Sequence, residues 1–356
     1  MLYRESIFVT GFPGFIAGRL VERLAGPETQ FFLLVQPPLV QHAIAEIEDI
    51  SEATGAPLES FVLVEGDITL PNLGIPDSDV ETVQFETTDV FHLAAAYDLA
   101  VAKDIAYKVN FEGTKNVNSF VASIRDLRRY NYVSTCYVAG KREGTILETE
   151  LEHDAGFRNH YEETKYLAEL EVERLKGHIP LTIYRPSVVV GDSQTGETAK
   201  YDGIYYLIHY LRKAPTLLRI FNVGNRHVRL NLVPVDFVAD GIAALSRDPR
   251  ARGRTVALAD PLPLTTAELF DVLAKEMTGR KSEFTPPPRL VEWFLGLKVS
   301  PPLTGLPHYG VPYFFISQVY DTAVGEELLA PHGVACPRFD KYAGNLLDFV
   351  DEFPSL

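Results

Sequence analysis

Short, continuous apolar runs alternate along the first half of the chain with stretches of helical periodicity. Residues 6–10 (SIFVT), 31–35 (FFLLV), 61–65 (FVLVE), 89–93 (DVFHL), 130–134 (YNYVS) and 181–184 (LTIY) read as strands buried on both faces. Between them, residues 15–24, 40–54, 102–124 and 160–175 repeat apolar positions every three or four residues, as amphipathic helices do. Strands separated by helices of this length need right-handed crossovers. The pattern therefore predicts an α/β fold with a doubly wound parallel sheet.

Beyond about residue 190 the pattern loosens. Residues 201–211, 235–246 and 266–277 predict helices, and 230–233 and 255–259 predict strands. The remainder is rich in proline and aromatic residues. The expected organisation is a main domain over 1–190, rejoined by the strand and helix near 230–246. A smaller, mainly helical substrate-binding part is expected over 191–356.

Composition narrows the function. The chain has 356 residues with 33 Lys+Arg against 48 Asp+Glu, a formal net charge of −15. Such a surface repels phosphate backbones, so nucleic acid is not an expected partner. The two cysteines, Cys136 and Cys336, form no CxxC or Cys/His cluster, so neither a disulfide framework nor a metal site is expected. The N-terminus lacks a basic segment followed by an apolar one, and no run of 18 apolar residues occurs. The expectation is a cytoplasmic protein without a membrane span.

The first motif with chemistry lies between the first strand and the first helix, at Thr10, Gly11, Phe12, Pro13, Gly14, Phe15, Ile16 and Ala17. Gly11 permits a tight turn, Gly14 lets the backbone approach a pyrophosphate, and Ala17 lets helix and strand pack closely. The helix N-terminus then offers N–H groups and a partial positive charge to the phosphates.

TGFPGFIA resembles the TGxxGxxG/A fingerprint of extended short-chain dehydrogenases/reductases. GDI at 66–68, HLAA at 92–95, VNFEGTKNV at 109–117, VSTCYVAG at 133–140, YEETK at 161–165 and YRPSVVVGD at 184–192 follow in that family's order. The run Gly66-Asp67-Ile68-Thr69-Leu70-Pro71-Asn72-Leu73-Gly74 is similar to the GD-x-x-x-P-x-LG of the fatty acyl-CoA reductase and thioester reductase branch. The resemblance implies a Rossmann sheet and an NAD(P)-dependent oxidoreductase.

Tyr161 and Lys165 stand four residues apart on a predicted helix and so share a face. An ammonium beside a phenol favours its ionised form, and such a Tyr can pass a proton to or from a substrate oxygen. Thr135, at the end of the fifth strand, is placed to hydrogen-bond that oxygen, with Ser134 its neighbour and competitor. The resemblance assigns the catalytic hydroxyl to Thr135, five residues before Gly140, and gives Asn110 a part in a proton relay. It also implies cofactor contacts from Asp67 and Ile68, from Leu93, Ala94 and Ala95, and from the backbone of Pro186, Ser187 and Val188. Asp67 can equally be a turn-former, and His92 reads as a packing residue.

At the end of the second strand Leu34-Val35-Gln36-Pro37 supplies neither the acidic residue usual for NAD nor an Arg for a 2′-phosphate. Gln36 is the expected contact there, with Arg19 in the first helix as a candidate cation. The branch resemblance leans slightly to NADP(H) over NAD(H). Tyr201, Tyr205, Tyr206 and Tyr210, with Trp293, Phe294, Tyr313, Phe314 and Phe315, either form core or line an elongated apolar pocket. Arg219, Arg226, His227 and Arg229 form a loose basic run able to meet the phosphates of a sugar nucleotide or of coenzyme A. The leading expectation is a reductase of a hydrophobic carbonyl, alcohol or acyl thioester, CoA- or carrier-protein-linked, in a possible homodimer. The alternatives are a sugar-nucleotide epimerase or dehydratase retaining NAD, a hydroxysteroid-type alcohol dehydrogenase, and a nucleotide sensor, against which the intact Tyr161/Lys165 pair argues.

Overall fold

The structure is a computed structural model that describes residues 3–201, 203–213, 222, 224–287, 290, 293, 313 and 316–355. Its strands are β1 (Glu5–Thr10), β2 (Thr29–Val35), β3 (Phe61–Glu65), β4 (Asp89–His92), β5 (Arg129–Val133), β6 (Gly144–Ile146), β7 (Leu181–Pro186), β8 (Val188–Val190), β9 (Leu232–Pro234), β10 (Thr255–Leu258) and β11 (Gln318–Tyr320). Seven of them form one parallel sheet in the order β10-β7-β5-β4-β1-β2-β3. Two small parallel pairs, β6 with β11 and β8 with β9, stand beside it.

Burial on both faces explains the apolar runs. On one face α1 (Phe15–Leu24) and α2 (Val40–Thr54) place Leu20, Val21 and Ile47 against Phe31 and Leu33. On the other, α3 (Asp77–Glu86), α5 (Gly113–Ala122) and α6 (His160–Glu173) cover Phe8, Tyr130 and Ile183. The helix leading into α5 begins as α4 (Lys103–Ala106) and passes through a π-helical turn at Tyr107–Glu112. Helix α7 (Ile204–Lys213) packs a third core with α9 (Thr266–Thr278) and α11 (Phe339–Glu352).

The span 191–356 is not one continuous cap. Its β10 is the seventh strand of the main sheet, paired with β7, because Val256 and Leu258 complete the first core. Helix α8 (Val235–Arg247) returns to lie on α1, and α10 (Ala323–Leu329) covers β10. Among the described residues no helix is long and apolar enough to cross a membrane.

Strand order reverses between β1 and β4, and the crevice above their carboxyl ends is where such sheets bind ligands. Deeper in the molecule Glu169 of α6 meets Arg185 of β7, whose Nε and Nη2 donate to Oε1 at 2.9 and 2.6 Å. Arg185 Nη1 also donates to the carbonyls of Glu148 and Glu150 at 3.2 and 3.0 Å, and both charged side chains are buried. Removing one partner of a buried pair strands the other charge. Arg185→Met is therefore expected to cost about 3–5 kcal/mol, read from the urea midpoint. A loss below about 1 kcal/mol, the range of an exposed pair, would contradict a dry pair.

Candidate active site

The crevice floor is the turn after β1. Gly11 adopts φ +94°, and a Cβ there would sit 2.7 Å from the Ala94 nitrogen. A Cβ at Gly14 would sit 2.5 Å from the Gly11 carbonyl oxygen, to which Gly14 N–H donates at 2.8 Å. No side chain caps α1, so its first-turn N–H groups, those of Phe15 and Ile16 included, face the turn without a side-chain acceptor. Ala17 and the Phe12 ring are buried in the first core, so Phe12 and Pro13 serve the turn through backbone. Thr10 ties the turn to β4: its Oγ1 accepts from Ala94 N–H at 3.2 Å and bonds His92 Nδ1 at 2.7 Å, while Leu93 N–H donates to its carbonyl at 3.1 Å. A cradle closed to any Cβ and roofed by a free helix end fits a dinucleotide pyrophosphate.

The loop after β3 forms the next wall. Asp67 Oδ1 accepts from Thr69 N–H at 2.8 Å, and Asp67 N–H donates to the Leu73 carbonyl at 2.7 Å, so Asp67 organises its own turn. Asn72, Leu73 and Gly74 all lie in the left-handed region, at φ 50°, 59° and 64°. Leu73 is wholly buried, and Asn116 of α5 donates to the Ile68 carbonyl at 2.8 Å. Gln36 follows β2 exposed. Arg19 does not serve this end of the site: its guanidinium pairs with Glu197 and Glu22.

Above β5 the structure separates the two candidate hydroxyls. Ser134 donates to Glu169 Oε2 in the buried ion-pair network. Thr135 instead caps the short helical turn Cys136–Ala139, accepting from Tyr137 N–H at 3.2 Å, and its hydroxyl lies close enough to Tyr161 to act on that phenol. Burial pushes the Tyr161 phenol up to about 12, with the Thr135 hydroxyl opposing, so it is a proton donor at neutral pH. Lys165 Nζ donates to the Val133 carbonyl at 2.9 Å and to Tyr132 Oη at 3.3 Å. Burial brings its ammonium down to about 8, with Glu169 opposing.

Asn110 lies in the π-helical turn, and its side-chain bonds go elsewhere than to the lysine. Its Oδ1 accepts from Ala96 N–H at 2.7 Å, and its Nδ2 donates to Ala96 O and Thr164 Oγ1, both at 3.0 Å. Ala95 lies in the same loop. Pro186, Ser187 and Val188 carry the chain from β7 into β8; Ser187 N–H donates to Leu258 O at 3.1 Å and its Oγ to Asn231 Oδ1 at 2.7 Å. His92 is buried, and burial plus the Lys165 charge pull its imidazole down to about 3, so it stays neutral.

Two C-terminal residues pack near this region: Tyr313, one of the aromatic candidates, and Gln318, which the sequence did not single out. Tyr313 donates to Glu162 Oε1 at 2.6 Å, accepts from Asn159 Nδ2 at 2.7 Å and packs its ring 4.7 Å from that of Tyr137. Gln318 Nε2 donates to the carbonyls of Gly140 and Arg142 at 2.8 and 2.6 Å. Of the aromatic candidates, Tyr205 is core, accepting from Gly191 N–H at 2.9 Å, and Tyr201 bonds the Phe353 carbonyl. Trp293 is exposed. The side chain of Tyr210 and residues Arg219, Phe294, Phe314 and Phe315 lie outside the described residues. Arg226 and His227 are exposed, and Arg229 is bonded to the Pro263 carbonyl.

The family described as Male sterility protein, an NAD-binding family, matches residues 9–242. The chain belongs to it, and the main sheet is an NAD(P)-binding Rossmann domain of the extended short-chain dehydrogenase/reductase type. Fatty acyl-CoA reductase wat of Drosophila melanogaster is 26% identical over 286 residues, 70% of this chain and 55% of that protein. Fatty acyl-CoA reductase 1 of Arabidopsis thaliana is 23% identical over 311 residues, 68% of this chain and 63% of that one. The chain thus spans little more than half the length of these relatives. Among solved structures, the terminal R domain from the myxalamid PKS-NRPS biosynthetic pathway superposes with a TM-score of 0.82 at 23% identity, over 99% of this chain and 92% of that chain. UDP-glucuronic acid 4-epimerase from Bacillus cereus in complex with NAD gives 0.66 at 18% identity, over 98% of this chain and 100% of that chain. Both share the fold.

Gly14→Val drives a branched side chain into the Gly11 carbonyl and opens the turn. Dinucleotide binding is expected to weaken about tenfold or more, a loss of roughly 1.4 kcal/mol, by fluorescence titration. An unchanged dissociation constant would show that the turn serves the fold alone.

Proposed function

We propose that the chain is an NAD(P)H-dependent reductase of acyl thioesters, with the acyl group carried on coenzyme A or a carrier protein. The observation that carries this reading is the helix that bears Tyr161 one turn before the buried Lys165, whose ammonium bonds the last carbonyl of β5, with Thr135 just beyond it at the carboxyl edge of a dinucleotide-binding sheet. The names of the reductase relatives support the substrate class.

Gly11, Gly14 and the start of α1 would hold the pyrophosphate, with Gln36 and Asp67 toward the adenosine end. When bound, the reduced dinucleotide supplies the hydride. Thr135 donates a hydrogen bond to the substrate carbonyl oxygen and holds it against Tyr161. The Tyr161 phenol gives its proton to that oxygen as negative charge develops there. Hydride and proton together turn the thioester into an aldehyde and a free thiol. The Lys165 ammonium favours the phenolate left behind. Gln36 stands where NAD-specific members place a carboxylate, so that position does not repel a 2′-phosphate, in keeping with NADP(H) as the preferred cofactor.

The epimerase reading needs the basic run to grip a diphosphate, and Arg229 is instead committed to the Pro263 carbonyl. The apolar Tyr137–Tyr313 ring pair near the catalytic residues favours a hydrophobic substrate over a sugar.

Tyr161→Phe removes the proton donor and little volume. Turnover is expected to fall by roughly 10²–10⁴-fold with dinucleotide affinity preserved. In the reductive direction kcat is expected to decline as pH rises through about 8, as Lys165 loses its proton. Near-normal turnover in the variant would overturn the assignment. A series of acyl thioesters of rising chain length tests the substrate. Each buried methylene contributes roughly 0.8 kcal/mol, so kcat/KM should climb several-fold per CH₂ until the pocket fills. A flat series, or turnover confined to UDP-sugars, would move the chain to the epimerases.

A further inference from the structure

Behind the Tyr161–Lys165 pair a set of buried polar groups runs from the pyrophosphate turn to the lysine. Thr10 Oγ1 accepts from Ala94 N–H at 3.2 Å and stands 2.7 Å from His92 Nδ1. A neutral imidazole accepting at Nδ1 carries its proton on Nε2, which stands 3.0 Å from Thr114 Oγ1. Thr114 sends its proton to the Asn110 carbonyl at 2.7 Å, so its oxygen accepts from His92 Nε2 and the imidazole Nδ1 is left to accept from Thr10. The His92 and Tyr132 rings pack 5.5 Å apart, and the Tyr132 oxygen accepts from Lys165 Nζ at 3.3 Å. Tyr132, Thr114 and His92 are all buried.

This fixes two of the three ammonium protons of Lys165, on Tyr132 and on the Val133 carbonyl, and leaves the third for the crevice. The groups facing the ammonium are Tyr132 and neutral His92 from the sheet, and Tyr161 and Glu169 from its own helix. Glu169 is itself engaged by Arg185 and Ser134.

We propose that Tyr132 is a positioning residue: its hydroxyl, accepting from Lys165 while its ring packs on the His92 that bonds the pyrophosphate turn, sets where the Lys165 ammonium stands relative to Tyr161. The proposal rests on the reductase reading for its kinetic consequence, while the pairing itself is a property of the fold. It joins the turn and the proton-handling pair through the packed His92 and Tyr132 rings.

Tyr132→Phe keeps the ring and removes the acceptor. In the full chain, kcat is expected to fall about tenfold with KM for the thioester unchanged, within what a misplacement of about 1 Å costs. The alkaline limb of the kcat profile is expected to move to lower pH, because the charged amine loses an acceptor. A second measurement needs no turnover: Tm values of wild type, Tyr132→Phe, Lys165→Met and the double variant. Tyr132→Phe is expected to lower Tm in the wild-type background and to have little further effect once Lys165 is gone. Additive Tm changes would overturn the pairing, as would a Tyr132→Phe enzyme whose kcat and pH profile match the wild type. If wild type reduces no thioester, aldehyde or ketone, the reductase reading falls, and the Tm cycle still decides whether Tyr132 holds Lys165.

Discussion

Lys165 carries its ammonium into a dry interior, and a cation there is tolerated only where oxygens meet it. Much of the molecule is arranged to supply them. The Val133 carbonyl is left for it because β5 ends there, one residue before the chain turns to present Thr135. Glu169, one turn further along α6, brings a compensating carboxylate, which in turn needs Arg185 from the neighbouring β7. Ser134 completes that carboxylate, while the Thr135 hydroxyl takes no part in the ion pair and accepts from Tyr137 N–H. The helix, the strand order and the assignment of the hydroxyl all follow from housing one charge.

Much of this was legible in the chain. Residues 15–24, 40–54 and 61–65 fold as their periodicity predicts, because apolar spacing and a Gly or Pro boundary agree at each. Helix α3 left little signal: only Val80 and Val83 of its ten residues are buried, too few to show a face. Strands β6, β8 and β11 are three residues each and owe their pairing to tertiary contact. In the site, Gly11 and Gly14 were readable because their constraint is local. Arg19 misled, since its partner Glu197 is remote in sequence, and Asn110 serves Ala96 for the same reason. Tyr132 was within reach: it shares a face of β5 with Ser134, and that face meets α6.

The left-handed turn at Asn72–Leu73–Gly74 shows how a sequence motif and a backbone cost are linked. A left-handed residue other than glycine costs roughly 1–2 kcal/mol. Burying the Leu73 side chain offsets a cost of that order. The Leu73 carbonyl then takes the Asp67 N–H and crowds Gly66, where a Cβ would come within 2.4 Å. The spacing of Gly66, Asp67, Pro71, Leu73 and Gly74 is thus the specification of a single rigid turn.

Tyr313 and Gln318 bear on how such an enzyme can be divided and recombined. One bonds Asn159, two residues before Tyr161, and Glu162, the residue after it, and the other bonds the loop that follows Thr135. The C-terminal part is therefore not a module that slides freely over a finished catalytic half. Exchanging it for another chain's counterpart would carry the new ends into Asn159, Glu162 and Gly140, and so into the seating of Tyr161 and Thr135. A workable chimera has to transplant these contacts together with the part that makes them.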